Sequence, residues 1–212
     1  MAEGLRERKK RQTRQLISDM ATGLFLERGF DAVTIAEIAE AANVSVNTVY
    51  NYFPAKEDLF LDRSKGVVER LSRYVRARDK GESAAEAVLR ELREEVRALS
   101  PNVGLFPGYS QFIQVIWEAH SLRSRLWRTN QEALERLEQT LREETGANPA
   151  DQLPTLIAGQ LCWVQTTLLG VIGREMVAGR QPDEVSRESL DLLDDMEDVL
   201  GETVLKYAVR EA

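Results

Sequence analysis

The sequence predicts an all-α protein. Three observations predict it: apolar residues recur at helical spacing along nearly the whole chain, no run sustains period-2 alternation, and helix start and stop signals flank the periodic stretches. About nine helices are expected by this reading. They group into a three-helix N-terminal domain over residues 1–54 and a larger helical domain over residues 55–212. A chain of 212 residues is long enough for one small and one medium-sized core.

The elements follow in order. Over 5–28, Leu16, Ile17, Met20, Ala21, Leu24 and Phe25 form a single apolar stripe, and Gly29 supplies the positive φ that ends a helix cheaply. Thr34 opens the second helix: its hydroxyl caps a free N–H while Glu37 reaches back to the Thr34 amide, and Val33 and Ile38 form a hydrophobic staple across the same start. That helix ends near Ala42, where Asn43 suits a left-handed turn position. Ser45 caps a third helix over 46–52, which Pro54 stops by pushing Phe53 out of the α region. A fourth helix is expected over 55–80, with Glu57 and Asp58 placed well in its first turn. Further helices are expected over 83–99, 109–120, 122–145, 153–178 and 182–209. Residues 100–108, with two prolines and two glycines, are the clearest loop.

Two short helices joined by a tight turn, 34–42 and 45–52, make a helix-turn-helix plan, whose second helix enters the DNA major groove. Ile35, Ile38, Ala39, Val44 and Val49 supply a small core shared with Leu24 and Phe25. The rest of the third helix offers Val46, Asn47, Thr48, Tyr50, Asn51 and Tyr52, which the fold itself does not require.

The Gly29-Phe30 turn, Thr34 followed by Ile38-Ala39, Val44-Ser45, Thr48-Val49-Tyr50, Tyr52-Phe53 and Lys56-Glu57-Asp58-Leu59 occur here in one order and spacing. In these motifs the chain resembles the DNA-binding domain of TetR/AcrR-type regulators over residues 10–62, with the helix-turn-helix at 33–52. Beyond residue 62 the likeness rests on helix number and length. Asn43 stands where the family usually has glycine, and asparagine adopts the same backbone conformation. The resemblance implies that Thr34 and Ser45 present hydroxyls and helix N-termini to phosphates. It implies that Thr48, Tyr50 and Tyr52 hold the DNA backbone and that Lys56 makes a charge contact with phosphate. Val46, Asn47 and Asn51 are the candidates for base edges, since Asn pairs bidentately with adenine and Val meets a thymine methyl. The second helix offers Ala36 where some relatives place a basic side chain, so direct readout is sparse and shape readout carries more. Local packing is the alternative reading for Tyr50, Tyr52 and Phe53, and a solvated surface for Lys56.

Charge agrees with a DNA partner only by its distribution. The chain carries a net −7, yet residues 1–14 hold six basic side chains, Arg11 and Arg14 among them, against two acidic ones. A basic arm on an acidic body suits one phosphate-facing surface, with a solvated helix start as the alternative.

The helices after residue 55 are expected to switch and to pair. One helix-turn-helix reads half a site, so a homodimer on a pseudo-palindromic operator is expected. Residues 153–178 are apolar all round, and the resemblance implies a four-helix bundle between copies through Leu161, Leu168, Ile172, Leu193, Leu200 and Val204; the alternative is an intramolecular core. Aromatic residues with polar neighbours, Tyr109, Phe112, Trp117, His120, Trp127, Trp163, Gln165 and Thr166, are the candidates for a small-molecule effector site, with plain core packing as the alternative.

Other functions are disfavoured. With one histidine and one cysteine, no nucleophilic triad, zinc set or glycine-rich phosphate loop is available, so neither catalysis nor a metal or cofactor is expected. The N-terminus lacks the apolar segment of a signal peptide, and polar and charged residues interrupt the most apolar helix, so a cytoplasmic protein without a membrane span is expected. The sequence therefore points to a sequence-specific regulator of transcription, a repressor released by a largely apolar ligand. The rival is a helical DNA-binding structural or protein-interaction protein with no ligand.

Overall fold

The structure is a computed structural model and describes residues 4–62 and 66–211. Those residues form α1 (Leu5–Arg28), α2 (Ile35–Ala41), α3 (Val46–Tyr52), α4 (Lys56–Phe60), α5 (Val67–Arg76), α6 (Ala84–Arg97), α7 (Tyr109–Glu118), α8 (His120–Thr145), α9 (Leu153–Val177), α10 (Pro182–Val199) and α11 (Glu202–Leu205), with one 3-10 turn at Pro101–Val103. Among the described residues there is no strand. Two compact units result: Met1–Lys65 with Gln114–Arg125, and Gly66–Ile113 with Leu126–Ala212.

In the first unit α2 and α4 pack on α1, and α3 packs on α2. Ile17, Ala21 and Phe25 of the α1 stripe are fully buried, as are Ile38, Val49, Leu59 and Phe60. Phe25, Phe30 and Phe60 meet at ring-centroid distances of 4.9, 5.7 and 6.4 Å. Tilted and edge contacts of this kind add to the apolar area that each ring buries. From the segment 114–125, Arg125 pairs with Asp58 of α4 at 3.2 Å.

The second unit is built around α6, α9 and α10. Leu89, Leu92, Ile157, Leu161, Leu168 and Leu193 are fully or almost fully buried in one continuous cluster. Polar ties fix its register. Ser186 Oγ donates to the Val96 carbonyl at 2.8 Å, and Arg93 reaches Asp194 and Glu197 at 2.6 and 2.5 Å. The end of the chain is laced to the α5–α6 turn: Gly81 N–H donates to Arg210 O, Arg210 N–H to Glu82 O, and the buried Arg78 to Ala208 O.

Two helices expected as continuous are divided. The stretch 55–80 gives α4, which ends at Phe60, and α5, which starts after Gly66 with its left-handed φ of 97°. A glycine inside a helix costs about 1 kcal/mol against alanine, and here it marks a break. The stretch 182–209 gives α10 and α11: Leu200 leaves the helix with ψ 124°, which lets Leu200 and Val204 both fold back into the core.

Candidate nucleic-acid interface

Local hydrogen bonds set α2 and α3. Glu37 N–H donates to Thr34 Oγ1 at 3.3 Å, and the Thr34 amide and hydroxyl both donate to Glu37 Oε2 at 2.7 Å. Arg28 of α1 adds a bond to Glu37 Oε1 at 2.7 Å. These donors, the Thr34 amide foremost, then the Thr34 hydroxyl and Arg28, hold the Glu37 carboxyl down from 4.5 to about 2. The turn follows with Asn43 at φ 52°, and Val44 N–H closes back on Ala39 O at 2.9 Å. Ser45 then accepts from the Thr48 amide at 3.0 Å and shares a hydrogen with the Thr48 hydroxyl at 2.8 Å. The Thr34 and Ser45 hydroxyls are thus helix caps at exposed helix starts.

Helix α3 has an inner and an outer face. Val49 and Phe53 are buried and Thr48 and Tyr52 half-buried, whereas Val46, Asn47, Tyr50 and Asn51 are exposed. Those four lie at i, i+1, i+4 and i+5, one stripe along the helix. The C-terminal end of α3 is fastened from α1. Arg14 Nη1 donates to Tyr52 O at 2.5 Å, its Nε and Nη2 reach Asp62 at 3.3 and 2.8 Å, and its guanidinium lies 4.1 Å from the Phe53 ring centroid. The basic arm is the exposed start of α1, with Arg6, Arg8, Lys9, Lys10 and Arg11 all preceding the first buried residue, Ile17.

Two expected phosphate contacts differ in the structure. Arg14 belongs to the fastening of α3 rather than to the arm. Lys56 turns inward: Nζ donates to Phe30 O at 2.5 Å and lies 4.4 and 5.6 Å from the Phe30 and Phe25 ring centroids. Desolvation lowers its pKa against the opposing pull of Asp31, Glu57 and Glu37. Sequence reasoning missed these roles because their partners lie 26 to 48 residues away.

The ligand candidates do not come together. Trp117 and His120 are exposed on the segment grouped with the first unit. In the second unit Trp127 is 63% and Trp163 42% exposed. The Thr166 hydroxyl donates back to the Cys162 and Trp163 carbonyls of its own helix. Gln165 is buried, and only Tyr109 and Phe112 pack together, their rings stacked at 6.3 Å. A cleft of 490 Å³ near Asp79, Glu82, Arg90 and Glu197 is lined by none of the eight.

The six dimer candidates are likewise displaced. Leu161, Leu168, Ile172, Leu193, Leu200 and Val204 are all buried in the second unit's own core, because α9 turns its bulkiest stripe toward α6 and α10. The exposed side of α9 carries Leu156, Gly159, Gln160, Trp163 and Thr166 instead.

An α2–turn–α3 unit with a capped, fastened second helix and one exposed polar and aromatic stripe has the plan of a helix-turn-helix. Residues 17–62 match the family model described as bacterial regulatory proteins, tetR family. The HTH-type transcriptional regulator TcmR of Streptomyces glaucescens is 34% identical over 85 residues, which is 40% of this chain and 38% of that protein. LuxR of Vibrio harveyi, also an HTH-type transcriptional regulator, is 40% identical over 62 residues, 29% of this chain and 30% of that protein. The matched stretches thus span well under half of either relative. Among solved structures, NalD, the secondary repressor of the MexAB-OprM multidrug efflux pump in Pseudomonas aeruginosa, aligns with TM-score 0.58 and 22% identity over 88% of this chain and 97% of its own. A SmeT–triclosan complex aligns with TM-score 0.59 and 20% identity, over 91% and 94% respectively. At these identities the likeness shows a common fold.

Proposed function

We propose that this protein is a cytoplasmic, homodimeric regulator of transcription that binds a pseudo-palindromic operator and is released from it by a small effector. The observation that carries the reading is the exposed stripe Val46, Asn47, Tyr50 and Asn51 on a helix whose other face and both ends are held by Val49, Ser45 and Arg14. Amide side chains on such a stripe suit adenine edges, Val46 suits a thymine methyl, and Tyr50 suits the backbone. Thr34, Ser45 and Thr48 lie at the helix starts, where N–H groups accept phosphate, and Arg11 with the rest of the arm adds charge.

Pairing follows from the half-site logic and from α9. Its exposed face, with Leu156, Gly159 and Trp163, is the surface we assign to the second copy. We place the effector in the second unit, which the helix-turn-helix leaves free for it; SmeT, of similar fold, is solved in complex with triclosan. Release requires that the effector prefer the conformation with lower DNA affinity by the coupling energy, about 1–3 kcal/mol.

The test is selection of genomic fragments by the purified protein at one fixed salt concentration, repeated with Asn47→Ala. A short inverted repeat that the variant no longer prefers is expected, with a loss of about 1–3 kcal/mol at the affected base pair. Salt-sensitive binding without a recovered motif overturns the reading in favour of a DNA-binding structural protein.

A further inference from the structure

The second unit holds a buried cation without a counter-charge. Arg70 of α5 is 7% exposed, and Nη1 donates to the Asn102 carbonyl at 2.9 Å. Among the described residues no carboxylate lies within ion-pair distance of it, in contrast to the buried Arg78, which meets Glu144 at 2.7 Å. One backbone carbonyl answers one of five guanidinium N–H groups. A buried charge normally has a partner, because removing it from water is costly.

The groups around Arg70 are incomplete in the same sense. One turn along α5, the Tyr74 hydroxyl is buried without a hydrogen-bond partner, and so is Glu95 Oε2 of α6. Burial, and then the nearby Glu95 charge, raise the Tyr74 pKa, while Arg70 pulls it down. Glu95 Oε1 is taken by Asn102 Nδ2 at 2.9 Å, so Asn102 joins Glu95 to Arg70. Tyr109, also within reach of the Arg70 charge, lies against the loop backbone at Gly104. A Cβ at Gly104, which has φ 85°, would stand 2.5 Å from the Tyr109 ring, so only glycine admits this approach. Phe106 and Phe112 flank the Tyr109 ring at 5.4 and 6.3 Å.

We propose that Arg70, Tyr74 and Tyr109 form the polar end of a binding site for a small aromatic carboxylate. The inference rests on the second unit being the effector domain and names the chemistry that unit selects. Donors prevail in this cluster: the Arg70 guanidinium, with one N–H answered, and the buried Tyr74 hydroxyl outnumber the single orphaned acceptor, Glu95 Oε2. A planar fork suits a carboxylate bidentately, and the Phe106–Tyr109–Phe112 row suits an aromatic body. Neither the charged cleft near Arg90, whose guanidinium is already paired with Glu82 and Glu91, nor the lone Cys162 offers such unmatched donors.

Titration calorimetry on the free full-length protein tests it, with 2-naphthoate and the isosteric, uncharged 2-naphthamide as probes. The wild type should bind 2-naphthoate saturably and about tenfold or more tightly than the amide, since a hydrogen bond to a charged group contributes about 1.5–3 kcal/mol. Arg70→Gln should erase that preference, and Tyr74→Phe should weaken naphthoate binding severalfold. Circular dichroism checks that each variant is folded; should Arg70→Gln fail to fold, Tyr74→Phe decides alone. Equal binding of the two probes, no saturable binding at millimolar naphthoate, or variants that bind like the wild type overturn the proposal. Because DNA is absent from this assay, failure here is distinct from failure of operator binding.

Discussion

At Lys56 the ammonium is held by the Phe30 carbonyl and by two aromatic faces, so its charge supports the turn that carries α2 rather than reaching outward. Lys56→Gln is therefore expected to cost about 1 kcal/mol of stability in the DNA-binding unit, from the lost cation–π and hydrogen-bond contacts. It should leave the salt dependence of DNA binding unchanged. A fall of about 0.9 in the slope of log affinity against log salt would place Lys56 on a phosphate instead. Glu37 gives a pH signature of known sign. Its folded pKa of about 2 lies below the ordinary 4.5, so the capping box adds stability that is complete above pH 4.5 and fades as pH falls toward 2. Thermal melts of Glu37→Gln should lack that part of the acid dependence, and an identical acid profile would show that the carboxylate is not the source. The Thr34 and Ser45 caps were legible in the sequence because partners three residues apart announce themselves. Arg14, Lys56 and Arg70 were not, since in a sequence each is one more basic residue and only the fold brings it to its carbonyl.

Helix α9 shows the same limit at the next scale. Its apolar character was evident, but an all-round apolar helix does not say which stripe meets its own core, and the bulkiest stripe went inward with Leu161, Leu168 and Ile172. The outward stripe is set by what α6 and α10 leave uncovered. Trp163→Glu, on that stripe, should convert a dimer to a monomer in sedimentation equilibrium while the helical content is kept; a dimer that persists would move the pairing surface off α9. Gly66 is the other lesson at this scale. With φ 97° it stands at the start of α5, while α4 has already ended at Phe60 and lies with Leu59 in the first unit. The short N-terminal helices were placed within a residue or two because each has its own start and stop signal. Only one end of the longer C-terminal stretches was so marked, and at Leu200 the burial demand of the core ended a helix without any breaker residue before Gly201.

Over the whole chain, acidic residues outnumber basic ones by seven, while the start of α1 is basic and exposed. Such a distribution keeps most of the surface away from polyanions and orients the first unit toward them. The architecture was legible to this level: an all-α chain with a helix-turn-helix at its N-terminus. The proposed effector site was not, because aromatic residues mark cores and pockets alike. The separation of faces on α3 has a last consequence for how such a protein acquires new targets. Support comes from Ser45, Val49, Phe53 and Arg14, none of which belongs to the stripe of Val46, Asn47, Tyr50 and Asn51. If that stripe reads the operator as proposed, a duplicated copy can change its target through those four positions while its melting behaviour stays nearly constant, since exposed substitutions typically alter stability by only about 0.5 kcal/mol. Regulatory rewiring is cheap for this scaffold, and foldability places little restraint on it.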